Sequence, residues 1–394
     1  MTNALNIAGS LDTSFGTDHN GTVRLEPLAG FTRLLDDQTL ITAGIKHSTQ
    51  TEYAFEAVKH DVDGYFEKEL ATTSLRGNGL FAAMTVQADG KYLVLWGLHS
   101  ASHYDAYVTR FTREGMPDLD FAPSLNGTVP LFQTIVDDLI QKWGLKVRES
   151  DGEVFVAFRT SQYDSHIFKI AGDASKRSLP NREWRVYVPG TALHDLAFRK
   201  DGRLLVVGTH KDKAIISCYD DTGKLDPLFG TAGHVELNSA DADNPLCIFS
   251  IVVDDQDRIT VAGSNAKLRQ TQNFVAGFTA NGQPDHTFNQ GAVLHSDVED
   301  GSYVCHVVQS DGKVVVLARA QATGFTTKLV RYTRDARKDQ SFGNAGVALA
   351  YTRSSGPGRA FVDTVELQHP GEKFLVSGPN ANYYTYITRL LNDT

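Results

Sequence analysis

A short motif that pairs an aspartate with a phenylalanine recurs along the chain and constrains its fold more than any other sequence feature. It first reads LDTSFG, at residues 11–16. The five clear copies carry Asp12 and Phe15, Asp118 and Phe121, Asp226 and Phe229, Asp285 and Phe288, and Asp339 and Phe342. Successive aspartates are 106, 108, 59 and 54 residues apart. The first two spacings are nearly double the others, so they predict two degenerate copies, one in DGYFEKEL from Asp63 and one in residues 172–184.

Seven turn signals give an independent count of the same unit. They lie at residues 36–38, 89–90, 151–152, 201–202, 256–257, 311–312 and 370–371, and four of them are Asp-Gly. Asp-Gly favours a tight β-hairpin, in which both central residues are expected to have positive φ. Each signal separates two short apolar runs, such as FAAMTVQA and KYLVLWG, that are typical of strands. A third run, the motif and a short fourth run follow, so each unit of about 55 residues predicts a four-stranded propeller blade.

The repeat therefore predicts an all-β fold, a single seven-bladed β-propeller of four-stranded blades over residues 1–394. We place the blades at roughly residues 27–75, 76–131, 132–188, 189–237, 238–295, 296–350 and 351–394. The chain opens with GTVRL (21–25), which resembles the fourth strands, and ends with TYITRLLND (385–393), which resembles the third strands. Residues 1–26 are thus expected to complete the last blade and close the ring.

The LD-x-x-FG turn, the G-x-V-x-L strand after it and the DGK hairpin resemble the delta-60 repeat of bacterial proteins. The resemblance extends over nearly the whole chain. It implies a propeller and supplies no catalytic signature that could be assigned to residues of this sequence. The fold alone leaves the activity open.

The aspartate and phenylalanine of the motif are expected to be structural. An aspartate can accept a hydrogen bond from the backbone two residues later and so cap its own turn. The phenylalanine would fill the seam between blades, and the glycine after it allows the chain to bend. A calcium site is the alternative, but Ca²⁺ needs six or more oxygen ligands and the motif supplies one carboxylate.

The charge and apolar pattern exclude several classes of partner. The chain has 38 basic and 47 acidic side chains, a net charge of -9, and we expect no nucleic-acid partner because such proteins present a basic face. No apolar run approaches the roughly 18 residues of a membrane span. The start, MTNALNIAGSLD, lacks the features of a secretory signal, which favours a cytoplasmic location with leaderless secretion as the alternative. Cys218, Cys247 and Cys305 lie in apolar runs and are expected to be buried free thiols.

Polar residues within the inner strands are the candidates for a binding site. Inner strands surround the central channel of a propeller, and a polar group there must be paired or hydrated. When the inner strands are aligned on their hairpins, His194, Asp195, His306 and Asp363 fall near the strand starts, at one mouth of the channel. They could hold a divalent cation or a polar ligand. The alternative, which we favour, is that they bind neighbouring backbone groups and water.

Three classes of function are compatible with this sequence. The first is a non-catalytic binding or scaffold propeller that recognises a protein or a glycan through its rim loops. The second is a propeller enzyme, a lactonase-like or lyase-like hydrolase with a metal in the channel. The third is a leaderless secreted effector or toxin component. No catalytic motif is present in the sequence, so we assign no catalytic residue, and we predict no cofactor beyond a divalent cation in the channel under the second hypothesis.

Overall fold

Seven four-stranded antiparallel sheets form a closed ring, as the sequence predicts. The computed structural model describes residues 7–26, 28–47, 52–76, 78–99, 103–135, 144–159, 164–173, 184–211, 213–239, 245–265, 272–296, 301–320, 325–353, 364–379 and 384–392. Within these ranges the helical structure is limited to short 3-10 turns such as Pro123–Leu125. None of the helices described is long and apolar enough to span a membrane.

The blades follow one another along the chain, each running from an inner strand at the channel to an outer strand at the rim. Blade 1 contains β2 (Leu28–Leu34), β3 (Leu40–His47), β4 (Glu52–His60) and β5 (Phe66–Arg76). Blade 2 contains β6 (Asn78–Val86), β7 (Tyr92–His99), β8 (His103–Phe111) and β9 (Thr128–Ile135). Blade 3 contains β10 (Gly144–Arg148), β11 (Glu153–Arg159), β12 (Ser165–Ile170) and β13 (Trp184–Val188). Blade 4 contains β14 (Thr191–Phe198), β15 (Leu204–His210), β16 (Lys213–Tyr219) and β17 (His234–Leu237).

The remaining three blades repeat this arrangement. Blade 5 contains β18 (Leu246–Val253), β19 (Ile259–Asn265), β20 (Asn273–Phe278) and β21 (Leu294–His295). Blade 6 contains β22 (Ser302–Val308), β23 (Val314–Ala320), β24 (Phe325–Tyr332) and β25 (Val347–Arg353). Blade 7 contains β26 (Thr364–Gln368), β27 (Lys373–Pro379), β28 (Thr385–Leu390) and β1 (Thr22–Leu25).

The ring is closed by the N-terminal strand. β1 pairs antiparallel with β28, and the register aligns Thr22 with Thr388 and Leu25 with Thr385. The last blade is therefore built from both ends of the described chain. This is the closure that the spare fourth strand in the sequence predicts.

The hairpins between first and second strands are wider than the sequence pattern suggests. In blade 2, five residues separate β6 from β7, and Gly90 N–H donates to the Gln87 carbonyl. Only the glycine of this Asp-Gly pair has positive φ, at 80°. The expectation of two positive φ angles is therefore wrong at Asp89, which instead accepts the Lys91 backbone N–H. Longer hairpins of this kind end in a single left-handed residue.

The apolar core is divided among the seven seams between neighbouring blades. Each seam holds one cluster of buried side chains from two successive blades. Five of the clusters contain a motif phenylalanine: Phe15, Phe121, Phe229, Phe288 and Phe342. The clusters between blades 1 and 2 and between blades 3 and 4 lack one, and these seams follow the two degenerate copies of the motif.

Candidate functional site

Each motif aspartate caps its own turn. One carboxylate oxygen accepts the backbone N–H two residues later, at 2.9–3.1 Å. The five donor and acceptor pairs are Ser14 with Asp12, Asp120 with Asp118, Leu228 with Asp226, Thr287 with Asp285, and Ser341 with Asp339. The turn geometry is therefore fixed by a side chain within the motif itself.

A buried arginine binds the second carboxylate oxygen in three of the blades. In each blade the distance is measured from the arginine Nε to the aspartate Oδ2. It is 2.7 Å for Arg110 and Asp118, 2.9 Å for Arg331 and Asp339, and 2.8 Å for Arg389 and Asp12. Each guanidinium also lies over the phenylalanine of the same motif, 4.5–4.7 Å from the ring centre. Aspartate, arginine and phenylalanine thus form one repeated unit at the start of the outer strand. We call it the Asp-Arg-Phe unit.

The ionisation of Asp12 follows from this unit. Burial raises its pKa, but hydrogen bonds from Lys373 and Ser14 and the charge of Arg389 outweigh burial and lower the pKa to about 2. The carboxylate is therefore charged and already engaged by donors that a calcium ion would have to displace. Its role in the fold is to anchor the turn.

The unit in blade 7 also joins blade 7 to blade 1. Arg389 donates to Asp63 Oδ1 at 2.9 Å and to the Val62 carbonyl oxygen at 2.6 Å, both in the blade 1 turn. It donates as well to Gln368 Oε1, at the end of inner strand β26. One buried guanidinium therefore links the N-terminal turn, the C-terminal strand and the next blade.

Polar side chains of the inner strands connect neighbouring blades around the channel. Asp195 in blade 4 accepts the backbone N–H of Ile251 in blade 5, at 3.3 Å. In the same way, Glu366 in blade 7 accepts the Leu34 N–H of blade 1, at 2.8 Å. Arg33 in blade 1 donates to the Met84 carbonyl oxygen of blade 2, at 3.0 Å. These contacts lie between adjacent inner strands, so they hold the ring together at its centre.

Asp195 and His306 both contact blade 5, although they occupy different positions along their inner strands. The inner strands of blades 2, 4, 5 and 6 each contain a bulge. The first paired residue after the bulge is Asp195 in blade 4, Ser250 in blade 5 and Cys305 in blade 6, so these three residues occupy equivalent positions. His306 is one residue further along, so its side chain takes the opposite direction. Its Nδ1 lies 2.9 Å from Ser250 Oγ in the preceding blade. Asp195 thus binds blade 5 from one side and His306 binds it from the other.

The other two predicted channel residues are His194 and Asp363. His194 is the bulged residue of blade 4, is 3% exposed, and lies with its ring 5.0 Å from that of Phe249, the bulged residue of blade 5. Asp363 lies outside the described residues. Among the residues that the structure does describe, no group of three or more His, Cys, Asp or Glu side chains could hold a metal ion.

Exposed apolar side chains are concentrated on three adjacent blades. Eight of the eleven large apolar side chains exposed in the described ranges belong to the turns between third and fourth strands of blades 7, 1 and 2 or to the residues beside them. These eight residues, which we call the apolar surface, are Ile7, Leu11, Val62, Tyr65, Phe66, Met116, Leu119 and Leu125. Met116 and Phe66 are 64% and 62% exposed. Concentrations of this kind mark interaction surfaces.

The turns that carry the apolar surface contact one another across the blade boundaries. The ring of Tyr65 in blade 1 lies 6.5 Å from that of His19, in the blade 7 turn. On the other side, Leu70 of blade 1 packs beside Gly115, next to Met116 in blade 2. Sequence reasoning missed this surface, since it selected residues by polarity in the inner strands. The signal was present in GMPDLDF (115–121), where apolar residues occupy the variable positions of the motif.

Comparison with known proteins supports the fold and nothing finer. No family model matches the chain, and no curated protein matches its sequence. Among solved structures, Drosophila Semaphorin 2a matches with a TM-score of 0.55 and 9% identity over 98% of this chain and 76% of that one. Sqt1 from Chaetomium thermophilum matches with a TM-score of 0.47 and 10% identity over 89% and 93% of the two chains. The polysaccharide lyase Uly1 matches with a TM-score of 0.46 and 10% identity over 93% and 91%. At such identities the likeness concerns the fold alone.

Proposed function

We propose that this chain is a non-catalytic binding propeller that docks a protein partner on the apolar surface of blades 7, 1 and 2. The observation that carries the proposal is that eight of the eleven large apolar side chains exposed in the described ranges lie there. The ring gains nothing in stability from exposed Met116, Leu119 and Leu125, whereas a partner that covers them removes apolar area from water.

The chemistry of the surface favours a protein over a glycan. Met116, Leu119 and Leu125 are aliphatic, and aliphatic side chains supply burial without the hydrogen bonds that sugar hydroxyls require. The polar residues of the inner strands support the same proposal. Asp195, Glu366 and Arg33 bind neighbouring blades, so they serve a rigid frame that holds the surface turns in place.

Replacement of exposed apolar side chains by serine tests the proposal. The triple variant Met116→Ser, Leu119→Ser, Leu125→Ser should reduce recovery of specific protein partners from extract of the source cells by at least about tenfold, since about 1.4 kcal/mol of lost burial already gives that factor. Leu228→Ser with Leu349→Ser is the matched control, because both residues are exposed apolar side chains on other blades. Equal recovery with the triple variant would contradict the proposal. Glycan-array binding that the triple variant retains would instead favour the glycan alternative.

A further inference from the structure

An apolar cavity of about 60 Å³ lies in the seam between blades 1 and 2. Its walls are Ile45 and Phe55 from blade 1 and Phe81, Val94, Trp96 and Phe111 from blade 2. Thr109, Thr128, Pro117 and Asn126 complete the lining. Asn126 is exposed, and Pro117 and Thr128 are half-buried, so the cavity reaches the surface at the blade 2 turn that also carries Met116, Leu119 and Leu125.

The cavity occurs in a seam whose motif is degenerate. In blades 7 and 4 the motif phenylalanine packs against a glycine of the next blade: Phe15 against Gly64, and Phe229 against Gly282. The corresponding glycine of blade 2 is Gly115, and the backbone carbonyl and Cβ of Leu70 lie against it instead. Phe66, in the degenerate copy of the motif, is 62% exposed. This cluster therefore contains no motif phenylalanine, and the cavity lies in the same seam.

Three of the four polar side chains of the wall are bonded to one another, and the fourth, Asn126, lies at the exposed mouth, so the interior does not call for a polar occupant. Trp96 Nε1 donates to Thr109 Oγ1 at 2.9 Å, and Thr109 Oγ1 lies 2.9 Å from Thr128 Oγ1. Stacked rings hold the rest of the wall in place: Phe55 lies 4.7 Å from Phe111 between ring centres. A water molecule needs two to four polar partners, whereas an apolar group needs none. The wall therefore selects for an apolar group.

The size of the cavity selects among apolar groups. An engineered apolar cavity of about 150 Å³ binds benzene, and this cavity has less than half of that volume. It excludes an aromatic ring and suits a branched aliphatic group such as the side chain of valine or leucine. A partner protein presents such a group as a single anchoring side chain.

The charge around the cavity mouth indicates which residues of the partner would flank the anchoring side chain. Residues 61–70 and 112–127 contain seven acidic and two basic side chains, a formal charge of -5 out of the chain's -9. Some are neutralised, since Asp63 and Asp118 bind buried arginines, Asp118 also pairs with Lys91, and Glu67 pairs with Lys59. Glu114 and Asp120 are exposed. Basic residues on either side of the anchor would complement this field.

We propose that the cavity is an anchor pocket that takes one aliphatic side chain from a basic, extended segment of a partner protein. The inference rests on the proposed function and specifies the partner's chemistry at the same surface. Burial of the anchor would supply affinity, and the acidic turns of blades 1 and 2 would supply orientation and speed of association.

Synthetic peptides test the pocket directly. We would measure fluorescence anisotropy of labelled nine-residue peptides with lysines at alternate flanking positions and one varied central residue. Valine or leucine at the centre should bind at least about tenfold more tightly than alanine, given the area that such a side chain buries. Central phenylalanine and glutamate-flanked leucine should each also be at least about tenfold weaker.

A variant that fills the pocket links the binding to this seam. Thr128→Leu should abolish the preference for leucine over alanine. Thr22→Leu is the matched control, because Thr22 begins the outer strand of blade 7 and pairs with Thr388 as Thr128 pairs with Thr109. The control should retain the preference. If Thr128→Leu does not fold, the peptide series on the unmodified chain decides the question.

Two results would overturn the inference while leaving the proposed function intact. One is peptide binding that Met116→Ser weakens and that shows no preference for an aliphatic centre. The other is a leucine preference that survives in a folded Thr128→Leu variant. If no peptide of the series binds, the anchor pocket is wrong, and the recovery experiment with the triple variant still tests the docking surface separately.

Discussion

Arg331 is the best place to test whether the Asp-Arg-Phe unit stabilises the propeller. It is fully buried, lies 2.9 Å from Asp339, and stacks over Phe342 at 4.5 Å. Arg331→Met keeps most of the side-chain volume and removes the charge. Among the described residues, Asp339 then retains the more distant Lys313, at 3.9 Å, and the Ser341 hydrogen bonds within its own turn.

The expected cost follows from the burial of the pair. Removal of one partner of a buried ion pair typically costs about 3–5 kcal/mol, because the other charge stays buried without compensation. Lys313 can move towards Asp339, so we expect a loss of about 3 kcal/mol, at the lower end of that range. Blade 5 has Gly277 at the position of Arg331 and still forms four strands, so the variant should fold.

Urea unfolding monitored by tryptophan fluorescence and circular dichroism gives the measurement. Arg337→Met is the control: its side chain is 83% exposed, and we expect a change within about 0.5 kcal/mol. A loss below about 1 kcal/mol in Arg331→Met would refute the view that this unit anchors the blades.

Four further outcomes test other parts of the structure. Deletion of residues 1–26 should leave an open sheet edge on β28 and cause aggregation; a monodisperse product with an unchanged melting temperature would contradict the ring closure. Phe229→Ala and Phe342→Ala should each cost about 3–5 kcal/mol in urea unfolding, because both side chains are fully buried, and wild-type stability in both would show that the seams do not depend on them. The lowered pKa of Asp12, about 2, means that its contribution is complete above the unfolded value of about 3.9 and is lost as the pH falls from about 4 towards 2. Asp12→Asn should flatten the stability profile in that window, and an unaltered profile would contradict the role of Asp12. Binding to a generic duplex should be absent at physiological salt, since the net charge is -9, and salt-sensitive binding below about 1 μM would contradict this.

The fold could be predicted because each repeat is marked by short sequence motifs. The conformation of a turn is determined by adjacent residues, so the spacing of Asp12 and its copies indicates the length of a blade directly. The closing strand was also predictable, since GTVRL matches the other outer strands in pattern. The first inference depends on interactions within one unit of about 55 residues, and the second depends on the match of GTVRL to the repeated pattern, although its partner strand lies 360 or more residues away.

Contacts between distant residues were harder to predict. The arginine of the Asp-Arg-Phe unit is the penultimate residue of the third strand, as in TRF, VRY and TRL, and this recurrence could have revealed it. The offset between Asp195 and His306 depends on bulges, which insert a residue without a mark in the sequence. The cavity depends on packing between two blades, since side chains from both blades form its lining.

Site-specific photocrosslinking tests the proposed binding surface most directly. Benzoylphenylalanine at Met116, which is 64% exposed and the most exposed residue of the apolar surface, is compared with the same residue at Leu349, which is 54% exposed on blade 6. We predict that Met116 crosslinks a discrete protein in extract of the source cells, that excess unlabelled propeller competes for it, and that Leu349 does not crosslink it. Crosslinking of the same protein from Leu349 but not from Met116 would place the binding surface elsewhere on the ring and contradict the proposal.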